Sequence, residues 1–172
     1  EASDLSTIVS QDDFGIITGL AFSSDGQSLA VVSQQSLHLL EASDLSVRAS
    51  SPPATVWTQE LEHKPLWVGP DLYIYRDTVG AGEMTALLRF DFKTSKLEKV
   101  EPDLIAQSAS VTPDSRIFFG HVGGKSQLYD PLSGESQMLL GDAGGFTRFA
   151  LHPESRHLFT GNRRGEVLRW SP

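Results

Sequence analysis

Four acidic residues recur at matched places along this 172-residue chain: Asp25, Asp71, Asp114 and Glu154. The steps between them are 46, 43 and 40. They stand in Ser24-Asp25-Gly26, Pro70-Asp71, Pro113-Asp114 and Pro153-Glu154. One carboxylate per repeat, all on one face, could ring a cation. Turn chemistry explains them more simply, because an Asp side chain bonds its own backbone and favours a turn. A calcium loop needs several oxygen ligands within one segment, and none of these segments supplies them. The five histidines are His38, His63, His121, His152 and His157. None forms a His-x-x-x-His ligand pair, and the spacing of His152 and His157 does not converge on a metal. The chain has no cysteine, which removes thiol nucleophiles, disulfides and Cys-based zinc sites together.

Serines are plentiful, but no Gly-x-Ser-x-Gly elbow surrounds one. Gly123-Gly124-Lys125-Ser126 has the ending of a phosphate loop. It lacks the upstream glycine and a following helix, so it reads as a hairpin turn. No catalytic residue, metal site or cofactor is therefore assigned. Binding chemistry is better represented. Arg76, His121, Lys125, Arg163 and Arg164 fall in or beside the second turn of successive repeats. Asp12, Asp13 and Asp142 fall in the connections between repeats. The longest connection, 51–64, carries Pro52-Pro53, Trp57 and Leu61. A Trp in a polar loop can anchor a partner. Its competing reading is a ring folded back over a sheet edge, and the basic turn residues have a competing reading as solvated surface. The binding set is Trp57, Arg76, His121, Arg163 and Arg164, all expected on one face.

What must position these residues is a repeated group of short strands. The first unit, 16–50, runs Thr18-Gly19-Leu20-Ala21-Phe22, the Asp25-Gly26 turn, Leu29-Ala30-Val31-Val32, a polar turn, Leu37-His38-Leu39-Leu40, and Val47-Arg48-Ala49. Leu20 and Phe22 alternate onto one side, as a half-buried strand requires. Units at 65–100, 106–141 and 146–172 repeat the plan, the last with three strands rather than four. β-branched and aromatic residues dominate the apolar runs. Fifteen Gly and nine Pro punctuate them too often for helices. A period near 40 with several strands per unit marks a propeller-type repeat. The fold class expected is all-β: a β-propeller of four blades, each a four-stranded antiparallel meander, forming either a closed four-blade ring or half of a larger propeller.

Glu1-Ala2-Ser3-Asp4-Leu5-Ser6 recurs as Glu41-Ala42-Ser43-Asp44-Leu45-Ser46. The strand after the second copy is the outer strand of unit one. Residues 5–10 are thus expected to supply the outer strand that unit four lacks, its own or a neighbour's, closing the circle. The chain begins with Glu inside a repeat, and an excised piece of a longer protein is expected.

Bulk properties narrow the partners. Net charge is −8, which argues against a nucleic acid and an anionic membrane surface. Apolar residues make up 39%, with nine Phe, three Trp and three Tyr, enough for a real core. A Cys-free chain suits both a reduced cytosol and an oxidising periplasm, and the cytoplasmic setting is preferred.

Unit four resembles the WD-repeat family. Phe149-Ala150-Leu151-His152-Pro153-Glu154 is similar to that family's first strand and turn. The stretch from Thr160-Gly161-Asn162 to Val167-Leu168-Arg169-Trp170 is similar to its second turn and tryptophan-ended third strand. Leu20-Ala21-Phe22-Ser23-Ser24-Asp25-Gly26 resembles the same family and equally the TolB-type propellers. The family's Gly-His pair precedes none of the first strands, and Trp170 is followed by Ser171 rather than Asp. The resemblance implies a rigid disc whose loops grip other proteins, a non-enzymatic interaction scaffold. Two alternatives stay open: a propeller enzyme, hydrolase or lyase, with an axial active site, and a carbohydrate-binding propeller using aromatic platforms. The partners expected are a protein and, by self-association, another propeller fragment.

Overall fold

The computed structural model describes residue 10 and residues 14–34, 36–51, 63–76, 85–104, 106–121, 125–140, 146–152, 157–162 and 165–170. Among these there is no helix. Sheet 1 holds β1 (Ile17–Phe22), β2 (Ser28–Ser33), β3 (Leu37–Glu41) and β4 (Val47–Ser50). Sheet 2 holds β5 (His63–Val68), β6 (Asp71–Arg76), β7 (Thr85–Asp91) and β8 (Lys96–Leu104). Sheet 3 holds β9 (Ala106–Val111), β10 (Ile117–His121), β11 (Lys125–Tyr129) and β12 (Ser136–Leu140). Sheet 4 holds β13 (Phe146–Leu151), β14 (Leu158–Asn162) and β15 (Val167–Trp170). In every sheet the strands lie in chain order, each antiparallel to the next. These are the blades of a β-propeller. The strand expected at residues 5–10 lies outside the described residues, save for residue 10.

Burial explains why these segments are strands. β2 is buried along almost its whole length, on both faces. A strand covered on both faces needs apolar residues on each side, so it reads as a continuous run rather than an alternation. Sheet 2 shows the consequence. Leu72 and Ile74 of β6 cluster with Ala30, Val32 and Leu37 of sheet 1. The alternate residues Tyr73 and Tyr75 cluster with Ala109, Ile117 and Phe119 of sheet 3. Between sheets 3 and 4 the rings of Phe118 and Phe149 meet edge to face, with centroids 4.5 Å apart. Trp170 donates from its indole nitrogen to the Thr160 hydroxyl at 2.9 Å, inside sheet 4.

The turns repeat as well. In each of the first three sheets the last hairpin turn ends on a residue with positive φ: Leu45 at 60°, Ser95 at 54° and Gly134 at 74°. Asp44, Asp91 and Asp130 each accept a backbone N–H from two residues ahead. In sheet 1 this local bond spans the positive-φ residue itself, whereas in sheets 2 and 3 it fixes the start of the turn, four residues before Ser95 and Gly134.

Two expectations change. Leu20 and Phe22 do share a side of β1, but that side is not core: they are 58% and 61% exposed. They oppose Val31 and Leu29, while their neighbour Ala21 opposes Ala30 on the side turned to sheet 2. Sheet 2 is also longer than the apolar pattern indicates, with β5 starting at His63 and β8 reaching Leu104. The phosphate-loop alternative fails structurally, since Lys125 and Ser126 open β11 rather than a helix.

β1 passes very close to β5. A Cβ on Gly19 would stand 2.3 Å from the His63 carbonyl oxygen and 2.6 Å from Cδ of Pro65. Both obstacles are backbone or ring atoms that cannot rotate aside. Pro65 is tolerated because β5 is an edge strand of its sheet. Gly19→Ala is therefore expected to cost about 1–3 kcal/mol, by the usual penalty for overpacking. Urea unfolding monitored by Trp fluorescence checks this, and an unchanged midpoint would contradict the close approach.

Candidate functional site

The first hairpin turns of sheets 1 and 2 frame a cleft of about 680 Å³. Its lining includes Ser23, Asp25, Ser28, Arg48, Trp67 and Phe92. Sheet 2 supplies the aromatic wall. Val68 pairs with Asp71, which leaves Gly69-Pro70 as a two-residue turn. Gly69 takes φ 57°, the positive value that the first position of this kind of tight hairpin needs. The turn lifts Trp67 to the cleft edge. Trp67 donates its indole N–H to the carbonyl of Ala21 at 3.1 Å, so its ring is tied to the neighbouring sheet. Phe92 stacks on Trp67, with centroids 6.1 Å apart and an interplanar angle of 22°. It meets Phe90 edge-on at 5.1 Å. Both geometries are favoured arrangements of aromatic quadrupoles. Phe92 nevertheless stays 40% exposed.

Sheet 1 supplies the polar rim. Arg48 donates to the Ser28 hydroxyl at 2.9 Å and pairs with Glu41 at 3.3 Å, its side chain about half exposed. Asp25 accepts the Ser23 hydroxyl at 2.6 Å and the Gln27 N–H at 3.0 Å. The Ser23 hydroxyl, then the Gln27 amide, hold its carboxyl below the ordinary value. The rim therefore presents a fixed anion and a cation beside a rigid aromatic wall.

The recurring acids resolve into turn chemistry where they are described. Asp114 accepts from Thr112, within the hairpin that matches the one around Asp25, and from both Nε and a terminal nitrogen of Arg116. Partial burial pushes its carboxyl up, but the Arg116 and Thr112 bonds outweigh this and hold it low. Asp71 opens β6 directly after the Gly69-Pro70 turn, so its setting differs from that of Asp25 and Asp114. Glu154 lies outside the described residues. Among the described residues no three His, Asp or Glu side chains could hold a metal together.

The binding set read from the sequence is only partly placed. Arg76 and His121 end β6 and β10, so their backbones share the side of the second turns, away from the cleft. Trp57, Arg163 and Arg164 lie outside the described residues. Arg48, Trp67 and Phe92 escaped the sequence reading because each sits in or beside a strand already explained as core. One signal was available: Phe92 continues the Leu88-Phe90 alternation beyond the end of β7, where no core remains for it.

His38 belongs to a separate network at the other end of sheet 1. Its Nε2 lies 2.6 Å from the Ser36 hydroxyl and its Nδ1 2.9 Å from that of Ser50. The ring packs on Phe14 at 4.8 Å.

No family model and no curated protein matches this chain. Among solved structures it is similar to hydrazine synthase of Kuenenia stuttgartiensis, with a TM-score of 0.65 and 16% identity, covering 99% of this chain and 49% of that one. It is similar also to an auxiliary nutrient binding protein from Bacteroides thetaiotaomicron VPI-5482, with a TM-score of 0.64 and 15% identity, covering 91% of this chain and 38% of that one. The chain thus spans about half or less of the length of these proteins. The likeness is one of propeller-like fold.

Burial lowers the pKa of His38 from its ordinary 6.5. The unfolded chain then binds a proton more readily than the folded one. Stability is full above pH 6.5 and falls as the pH drops below it. Thermal melts between pH 7.5 and 5.5 should show this slope, and His38→Asn should flatten it. Identical slopes in the two proteins would refute the assignment.

Proposed function

We propose that this chain is a non-enzymatic binding module, a propeller that takes a segment of a partner protein into the cleft between its first two sheets. The observation that carries this reading is the Trp67–Phe92 stack. It is an aromatic wall held rigid from both sides yet still open to solvent. Rigid aromatic anchors flanked by charged groups concentrate binding energy in interfaces. Because the rings are already fixed, little ordering is needed when a ligand arrives. A peptide side chain of apolar character fits against Phe92, with Arg48 and Asp25 setting the polarity of its neighbours. The resemblance to WD-type repeats supports the same class by analogy, since a fold by itself does not specify a function. The residues Trp57, Arg76, His121, Arg163 and Arg164, expected from the sequence to share one face, are proposed as a second surface of the same module.

The test is selection of peptides from a random phage-displayed library on the immobilised chain. Enriched peptides should carry a large apolar residue. Their affinity should fall at least tenfold with Phe92→Ser and with Arg48→Glu. It should persist with Arg76→Ala and His121→Ala, which occupy the other face. Peptides that bind all four variants alike would remove the cleft from the assignment. Enrichment for binders sensitive only to Arg76 and His121 would transfer the role to the second surface.

A further inference from the structure

The cleft between the first two sheets holds hydrogen-bond donors that the fold does not consume. Arg48 is fixed at one end only. Its Nη1 donates to the Ser28 hydroxyl at 2.9 Å and pairs with Glu41 at 3.3 Å. Ser28 is buried, so this bond anchors the guanidinium to a group that does not move. Among the described residues, Nε and Nη2 of Arg48 have no partner. The side chain is 49% exposed. These two nitrogens form one edge of the planar guanidinium, and their N–H bonds run parallel. Such an edge matches two oxygens of a carboxylate or of a phosphate.

The surroundings choose between those two anions. Asp25 lines the same cleft as Arg48. Its Oδ1 accepts the Ser23 hydroxyl and the Gln27 N–H, which hold the carboxylate in place, while Oδ2 has no partner among the described residues. Glu41 adds a second carboxylate, held at Nη1 and not at the open edge. The chain as a whole carries a net charge of −8. A doubly charged phosphate meets twice the repulsion from these acids that a singly charged carboxylate meets. A carboxylate seated on the open edge gains its attraction at hydrogen-bond distance, where it is strongest. Phe92 lines the same cleft and is 40% exposed, so a ligand that uses both features joins an apolar group to an acid.

We infer that the partner segment taken by this cleft carries an acidic side chain, Asp or Glu, beside the apolar residue that lies on Phe92, and that the Nε–Nη2 edge of Arg48 receives its carboxylate. The inference rests on the binding role proposed above and names the chemistry of the ligand. Asp25 then acts as a filter against more highly charged anions. The fork of Arg48 is preorganised, because Ser28 and Glu41 hold the guanidinium before the ligand arrives.

The probe is the tightest peptide from the library selection, synthesised with both ends capped so that only side chains bear carboxylates. Three forms are compared by fluorescence anisotropy: the acid, its amide, and phosphoserine in place of the acid. Exchange of acid for amide should weaken binding to the wild-type chain about fivefold or more. On Arg48→Met, which keeps an apolar stem and loses the charge, acid and amide should bind alike. The phosphoserine form should bind the wild-type chain more weakly than the acid form, and Asp25→Asn should narrow that gap. Circular dichroism checks that each variant is folded, and Arg48→Gln replaces Arg48→Met if the latter is not. Peptides that need Phe92 but contain no acid, or whose acid matters equally on wild type and Arg48→Met, overturn the inference and leave the cleft as the binding site. A phosphoserine form that binds tightest overturns the choice of carboxylate. Peptides indifferent to Phe92→Ser overturn the proposed function, and this inference with it.

Discussion

The inner edge of each blade is the constraint on which this architecture depends. β1, β5 and β9 are edge strands, and an edge strand leaves backbone polar groups without a ladder partner. Side chains of sheet 2 answer this on both sides. Trp67 donates to the Ala21 carbonyl of β1. Lys64 donates to the Ala109 carbonyl of β9 at 2.8 Å, and Tyr75 donates to that of Ala106. A buried carbonyl without a donor costs on the order of 1–3 kcal/mol, so these three bonds set the spacing and register between sheets as well as satisfying the edge. Gly19 belongs to the same constraint, because only a residue without a side chain lets β1 approach β5 closely enough.

The cleft follows from that spacing. Trp67 cannot turn inward, since its indole N–H is committed to Ala21. Its ring therefore lies between the first two sheets, and Phe92 stacks on the side it leaves open. Core and candidate site are continuous: Phe90 is fully buried, Phe92 two residues later is at the surface, and the two rings touch edge to face. The polar rim is likewise structural first. Arg48 braces the Ser28 hydroxyl at the start of β2, and Asp25 closes the first hairpin. A binding surface assembled from groups that already have structural partners is rigid before any ligand arrives.

The acidic repeat illustrates how one residue type at one spacing divides by context. Asp25 and Asp114 each cap a hairpin of the same form, with a hydroxyl two residues earlier as the first donor. Asp71 has no such hairpin, because Gly69-Pro70 turns the chain in two residues. The spacing was visible in the sequence. The difference was not, because it depends on how many residues pair across each turn.

What the sequence determined by itself is the periodic plan. Turn acids, glycines, prolines and runs of β-branched and aromatic residues specify four meanders, because each of those signals acts over a few neighbouring residues. The all-β class, and a strand in place of a phosphate-loop helix at Lys125-Ser126, were legible for that reason. Which face of a strand is covered was not. Leu20 and Leu72 look alike in the sequence, yet Leu72 is fully buried between two sheets while Leu20 lies open on the first. Only the order of the sheets in space decides that, just as it decides that Trp67, Phe92 and Arg48 share one cleft, because their meeting depends on contacts between blades and not on anything within one.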